Sequence, residues 1–315
     1  MKYIKLGNTG IEVSRLCFGG LIIGPLQANL SPEHGADIIL KAVELGVNFI
    51  DTAELYGTYP HVREALKKSR KEIVVATKSY AYSKESAKDS VEKARREMDI
   101  DVIDIFLLHE QESRLTLQGH REALEYYLSM KDKGVIKAVG VSTHNIEVVE
   151  ACAYMSEVDV IHPIVNKQGI GIGDGSMDEM LGAVKKAFDK GKGIYSMKPL
   201  GGGNLIKSYE DCMEYVLNIP YIHSIALGMQ SFEEVIMNVC VFNGEDIPDE
   251  TRSSLESVKR RLHIDWWCEG CGKCVKRCKQ GALSIVDKKA KVMEDKCVLC
   301  SYCASVCSSF AIKVC

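Results

Sequence analysis

The chain has 315 residues, with 40 Lys and Arg against 43 Asp and Glu, for a net charge of −3. Nearly balanced charge with no basic stripe argues against nucleic acid as a partner. No apolar run approaches the ~20 residues of a membrane span. The opening MKYIKLGNTG lacks the apolar core of a secretory signal, so the expectation is a cytoplasmic protein with no membrane partner.

Eight short apolar runs follow one another along the chain: 14–19, 47–51, 73–78, 104–109, 137–142, 159–165, 193–198 and 222–228. Longer stretches with helical spacing separate them, such as SPEHGADIILKAVELG (31–46) and SKESAKDSVEKARREMD (83–99). Several open on Ser or Asp and close on Gly, as capped helices do. Strands apolar on both faces, joined by helices, form a parallel sheet. Eight such units predict a closed (β/α)8 TIM barrel; an open, doubly wound sheet is the alternative that the count of eight disfavours. A barrel carries its chemistry at the carboxyl ends of its strands. Asp51, Lys78 and His109 each close their apolar run.

TRSSLESVKRRL (251–262) reads as a last, charged helix. The composition then changes. Of thirteen cysteines, Cys17, Cys152, Cys212 and Cys240 are scattered and read as small buried apolar residues. The other nine lie between Cys268 and Cys315. A reducing cytosol makes disulfides the wrong explanation. CEGCGKCVKRCKQGAL (268–283) overlays CVLCSYCASVCSSFAI (297–312) with an offset of 29, so the chain divides into 1–262 and 263–315.

Thiolates at CxxCxxCxxxC spacing, twice over, predict two 4Fe–4S clusters. Three cysteines of each run wrap one cluster and the fourth reaches the other. Cys268, Cys271, Cys274 and Cys307 are assigned to the first, and Cys278, Cys297, Cys300 and Cys303 to the second. Cys315 is left over. Structural zinc is the competing metal, and clusters that only staple a small fold are the competing role. The segment resembles a bacterial two-cluster ferredoxin. The proline that usually follows the fourth cysteine is Lys279 in one repeat and Ser308 in the other.

DTAELYG (51–57), TK (77–78), FLLH (106–109) and GVSTHN (140–145) resemble the motifs of aldo-keto reductases over about residues 1 to 245. The resemblance implies a catalytic tetrad of Asp51, Tyr56, Lys78 and His109, in which the tyrosine protonates the substrate's carbonyl oxygen. The residue chemistry agrees. Hydride delivery leaves charge on oxygen, which an acid must neutralise. An ammonium beside a phenol is expected to lower its pKa, with Asp51 holding Lys78 in place and His109 orienting the substrate oxygen or sharing the proton.

The resemblance also implies nucleotide contacts. Gly20 stands after the first strand, and Ser142 and Thr143 stand where the family has Ser-Asn. His162 replaces a Gln, Asn166 matches the family's asparagine, and Met197 replaces a stacking Tyr. Pro199, Leu200 and Gly201 follow it. LGMQSFEEVIMN (227–238) resembles the coenzyme-phosphate loop and helix, with Gly228, Ser231, Glu234 and Asn238. A carboxylate at Glu234 would repel a 2′-phosphate, so NAD(H) is expected over NADP(H). The glycine-rich GIGIGDG (169–175) reads as a flexible loop in preference to a phosphate loop.

The pairing resembles a branch of the aldo-keto reductases with a C-terminal ferredoxin-like module. Three readings stay open: a carbonyl reductase or alcohol dehydrogenase whose clusters serve a redox-protein partner, a reductase fed by the clusters, and an electron carrier with a vestigial barrel. A flavin, which exchanges both one and two electrons, is not excluded. The substrate loops are 21–30 and 110–120, and Trp266 and Trp267 either pack the module on the barrel or line the active-site mouth.

Overall fold

The computed structural model describes residues 1–314; Cys315 lies outside the described residues. A hairpin of β1 (Tyr3–Lys5) and β2 (Glu12–Ser14) comes first. Eight parallel strands then close into a barrel: β3 (Leu16–Gly19), β4 (Phe49–Asp51), β5 (Val74–Ser79), β6 (Ile103–Leu108), β7 (Ile136–Thr143), β8 (Val160–Pro163), β9 (Gly193–Met197) and β10 (Ser224–Gly228). Pairing of β10 with β3 completes the ring. Leu6 and Val13 from the hairpin join Phe49, Ile105, Leu107 and Val160 in an inner core that fills the amino end.

The outer ring is α1 (Pro32–Glu44), α2 (Tyr59–Lys68), α3 (Lys84–Met98), α4 (Arg114–Gly119), α5 (Arg121–Asp132), α6 (Ile146–Tyr154), α7 (Met177–Asp189), α8 (Tyr209–Leu217) and α9 (Phe232–Asn243). Ser31, Ser83, Ser113, Ser176 and Ser231 cap α1, α3, α4, α7 and α9 by accepting a backbone N–H two or three residues into the helix. Cys17, Cys152 and Cys212 are buried. Among the described residues, no helix is long and apolar enough to cross a membrane.

The expected helix over 251–262 is shifted and shortened. Helix α10 spans Asp249–Glu256, and Leu262 instead opens β11 (Leu262–Ile264). The stretch SVKRR between them offers no apolar face to pack, whereas Leu262 is buried in the strand. Then come α11 (Lys273–Arg277), β12 (Leu283–Val286), β13 (Lys289–Val292) and β14 (Ile312–Val314). Strand β11 pairs with β14 and β12 with β13, both antiparallel. The 29-residue repeat is visible in three dimensions: Cys278 Sγ accepts from Ala282 N, and Cys307 Sγ accepts from Ala311 N, each at 3.3 Å.

Strand β14 also touches the carboxyl end of the barrel. Val314 N donates to Gly202 O at 3.0 Å, and Asn204 Nδ2 donates to Ile312 O at 2.9 Å. A side chain at Gly203 would collide with the Val314 carbonyl, and one at Gly171 would collide with the Phe310 ring. The glycine-rich 169–175 segment therefore makes room for Phe310. Trp267 Nε1 donates to Ser309 O within the module, while Trp266 is exposed, and neither tryptophan lines the cleft described below. Because Gly203 also has φ +81, Gly203→Ala combines left-handed strain of about 1–2 kcal/mol with a clash. It is expected to expose the Phe310–Val314 segment to limited proteolysis at a protease dose that leaves the parent intact.

Candidate active site

Four polar side chains meet on the barrel axis. Asp51 ends β4, Lys78 sits one residue before the end of β5, and His109 is the first residue after β6. Tyr56 is carried by a 3-10 turn, Glu54–Tyr56, that Gly57 terminates in the left-handed region. Lys78 Nζ donates to Asp51 Oδ2 and Thr52 O, both at 2.8 Å, and lies 3.4 Å from Tyr56 Oη. His109 stands edge-on to Tyr56, with ring centroids 5.6 Å apart, and stacks on Tyr80 at 4.4 Å. Its Nδ1 has no hydrogen-bond partner among the described residues.

Electrostatics sets the protonation states. Burial pushes the Asp51 carboxyl up, but the Lys78 and His162 charges and hydrogen bonds from Lys78 and Tyr195 outweigh it, so it lies below the usual carboxylate range. The expectation that Lys78 lowers the Tyr56 pKa is not met. Burial, followed by Asp51 and Glu110, holds the Tyr56 phenol well above its ordinary value. Asp51 sits on Lys78 at 2.8 Å, so their charges largely cancel at the phenol while desolvation does not. Tyr56 is therefore a neutral phenol. Burial also takes His109 down to about 3, so its imidazole is neutral.

Sequence reasoning missed Tyr195 and Glu110 as neighbours of the tetrad, and read His162 only as a nucleotide contact. Tyr195, from β9, donates its hydroxyl to Asp51 Oδ1 at 2.9 Å. His162 stacks on Tyr195 at 3.9 Å and hydrogen-bonds the Tyr195 carbonyl through Nδ1 at 2.7 Å. Glu110 accepts from Tyr80 Oη at 2.5 Å. Tyr195 had one available signal: it lies two residues from Met197 on the same strand, on the face that alternation turns inward.

An open cleft lies beside the tetrad. Asp51, Tyr56, His162, Met197, Pro199, Leu200, Gly228, Glu234 and Asn238 line it. Ser142, Thr143, Asn166, Gly20, Gly201 and Ser231 do not. Ser142 Oγ accepts from Glu110 N at 2.8 Å and Thr143 Oγ1 donates to Gln111 O at 2.6 Å, clasping the loop after β6. Asn166 closes its own turn on Ile170 through two 2.9 Å bonds. A Cβ on Gly20 would crowd Asp51 O. Ser231 caps α9, and Gly201 packs against Ile170 and Leu205. Loop 21–30 supplies Leu21, Ile22 and Gln27 to the cleft, while loop 110–120 supplies nothing. Glu234 Oε2 accepts from Gln230 N at 2.9 Å, and Oε1 pairs with Arg260 at 3.3 Å.

In the tail, Cys278, Cys297, Cys300 and Cys303 line one cavity. Burial raises the Cys274 thiol, with Cys307, Cys268 and Cys271 adding to the effect. Backbone N–H groups point at Cys268, Cys278 and Cys307 at 3.3–3.4 Å. Such donors favour thiolate, so the donor set suits two thiolate-bound clusters.

A closed parallel barrel with buried polar residues at its carboxyl end, followed by a cysteine-rich module, defines a (β/α)8 protein with a ferredoxin-type domain. Two family models match it: "Aldo/keto reductase family" over residues 15–216 and "4Fe-4S dicluster domain" over 267–311. The chain belongs to the aldo/keto reductase family of oxidoreductases. It is 23% identical to an L-galactose dehydrogenase of Arabidopsis thaliana, over 84% of this chain and 96% of that one. It is 29% identical to an NADH-specific methylglyoxal reductase of Escherichia coli, over 51% of this chain and 58% of that one. A putative aldo-keto reductase from Pseudomonas aeruginosa superposes with TM-score 0.66 at 22% identity, over 77% of this chain and 94% of that one.

Proposed function

We propose that the protein reduces a small aldehyde or ketone, or oxidises the corresponding alcohol, with Tyr56 as general acid and base. The observation that carries this is the contact of buried Lys78 with both Asp51 and Tyr56, the two members of the tetrad that line the cleft, beside a buried neutral His109. A nicotinamide bound in this cleft supplies hydride equivalents. Met197, Pro199 and Leu200 would face one part of it, and Gly228, Glu234 and Asn238 another. The chain's own residues manage the proton. His109 holds the substrate oxygen toward Tyr56. Tyr56 donates its proton to that oxygen as negative charge grows there. Lys78 stabilises the phenolate left behind, and Asp51 keeps Lys78 charged and aimed.

NAD(H) is the favoured nucleotide in this reading. Glu234 occupies Arg260, the cation nearest to it, and withholds it from a 2′-phosphate. Glu234→Gln is expected to raise kcat/KM for NADPH relative to NADH about tenfold; an unchanged ratio in steady-state assays would sink the assignment.

Two clusters supply one-electron exchange when bound, on the cysteine quartets assigned above, within a module that we place at 263–315, after a barrel at 1–262. A second reading, in which the clusters and not a nicotinamide feed the barrel, is supported by Lys313 and Val314 lining the same cleft as Tyr56. The anaerobic visible spectrum with added NADH, then NADPH, separates the two. NADH-driven reduction of a carbonyl with unbleached clusters supports the first reading. No turnover with either nucleotide, but turnover from dithionite-reduced protein, supports the second.

A further inference from the structure

Two lysines that the tetrad does not use stand in the cleft wall. Lys198 follows β9 in the left-handed region, φ +59, a conformation rare for a residue with a side chain. Lys313 belongs to β14, in the module. Both line the cleft together with Tyr56 and His162. Their side chains are only 21% and 6% exposed. They flank one aromatic ring: the Phe310 centroid lies 4.6 Å from Lys198 Nζ and 3.3 Å from Lys313 Nζ.

An ammonium has three N–H donors. Among the described residues, Lys198 Nζ has one hydrogen-bond partner, His144 Nε2 at 2.7 Å, and Lys313 Nζ has one, the Phe310 carbonyl. The carboxylates facing them stand off. Glu110 is 3.8 Å from Lys198 and is engaged by Tyr80, and Asp265 is 3.8 Å from Lys313. Each ammonium keeps open donors and has only a carboxylate at 3.8 Å in a desolvated cleft, and burial pushes both lysines below their ordinary range, Lys313 furthest; a bound anion would complete their hydrogen bonds and favour the charged forms. A purely structural anchor between module and barrel would close those donors on protein acceptors.

The Lys198 ammonium reaches past β8 to His144 after β7 and Glu110 after β6, the side that carries His109. That turns it away from the nucleotide candidates Gly228, Glu234 and Asn238, which follow β10, although Met197, Pro199 and Leu200 beside it in the chain are nucleotide candidates too; competition with NADH is therefore part of the test. We propose that Lys198 and Lys313 bind an anionic group of the substrate. The protein would then act on a carbonyl or alcohol compound bearing a carboxylate or phosphate, with the iron–sulfur module contributing one of the two cations. The substrate assignment rests on the reductase reading above; the anion site does not.

The test uses the full chain with reconstituted clusters under anaerobic conditions. NADH-linked kcat/KM is compared for 4-carboxybenzaldehyde, 4-formylphenyl phosphate and the neutral methyl 4-formylbenzoate. An anionic aldehyde is expected to exceed the ester at least 30-fold, and Lys313→Met and Lys198→Met each to lower that ratio about tenfold. Lys313→Arg should retain most of it. Lys198 lies on a loop, so its variant remains informative if Lys313→Met fails to fold. Calorimetric titration of 4-(hydroxymethyl)benzoate needs no turnover. Binding that weakens tenfold in either variant, in a protein that reduces none of the aldehydes, would uphold the anion site while removing the reductase reading. Equal turnover of acid and ester, no binding, or binding that NADH abolishes competitively would overturn the proposal. The last of these would hand the two lysines to the nucleotide pyrophosphate.

Discussion

Replacing Tyr56 by Phe is expected to lower kcat for carbonyl reduction about 10³-fold, within the range for loss of a positioned general acid, while NADH binding followed by fluorescence changes little. Only the hydroxyl is removed, and the ring keeps its edge-on packing with His109. Lys78→Met should approach the same loss, because a phenolate in this buried site has no other cation at 3.4 Å. The two substitutions together should then cost little more than either alone, since they disable one unit. The raised Tyr56 pKa fixes the pH dependence. The phenol remains the protonated donor throughout the neutral and moderately alkaline range, so reduction should show no Tyr56-linked alkaline loss below about pH 10. An alkaline limb near 8 that vanishes in Tyr56→Phe would contradict the burial argument.

Acid should destabilise the barrel steeply. His109 and His162 are held neutral in the fold, with pKa values of about 3 and about 4, against ~6.5 in the unfolded chain. The folded-state values are depressed, so below pH 6.5 the unfolded chain binds more protons and stability falls with pH down to about 4. Each histidine contributes up to ~1.4 kcal/mol per pH unit over that window. Denaturant midpoints at pH 7.5, 6 and 5 should therefore decline, and His162→Gln should remove one histidine's share of the slope. A slope unchanged in that variant would mean that His162 titrates freely.

The barrel was legible because its physics is local. Runs apolar on both faces can only be strands buried on both sides, and they repeat eight times. Asp51, Lys78 and His109 stand at strand ends because a polar residue cannot be tolerated deeper in the core. The cysteine repeat was equally local. What escaped the sequence was tertiary. The Tyr195 bond to Asp51 spans 144 positions. The sign of the Tyr56 shift depends on how closely Asp51 screens Lys78. The segment 251–262 carried helical spacing, but Leu262 gained more by pairing in β11. Ser142 and Thr143 matched a motif by position, yet their hydroxyls are spent on the loop after β6. Nothing in GIGIGDG announced that one of its glycines, Gly171, leaves space for an aromatic ring some 140 residues further on.

The short tether between the fourth cysteine of the second repeat and the cleft acts as a ruler. Cys307 and Lys313 are six peptide steps apart, and a fully extended chain covers no more than ~3.6 Å per step. Contour length alone therefore keeps the Cα of that cysteine within about 22 Å of the Cα of Lys313, whatever the docking of the two halves. The chain cannot move the cysteine repeat away from the carbonyl site without carrying Lys313 with it. While Lys313 lines the cleft, the covalent chain therefore holds the cysteine repeat close to the carbonyl site.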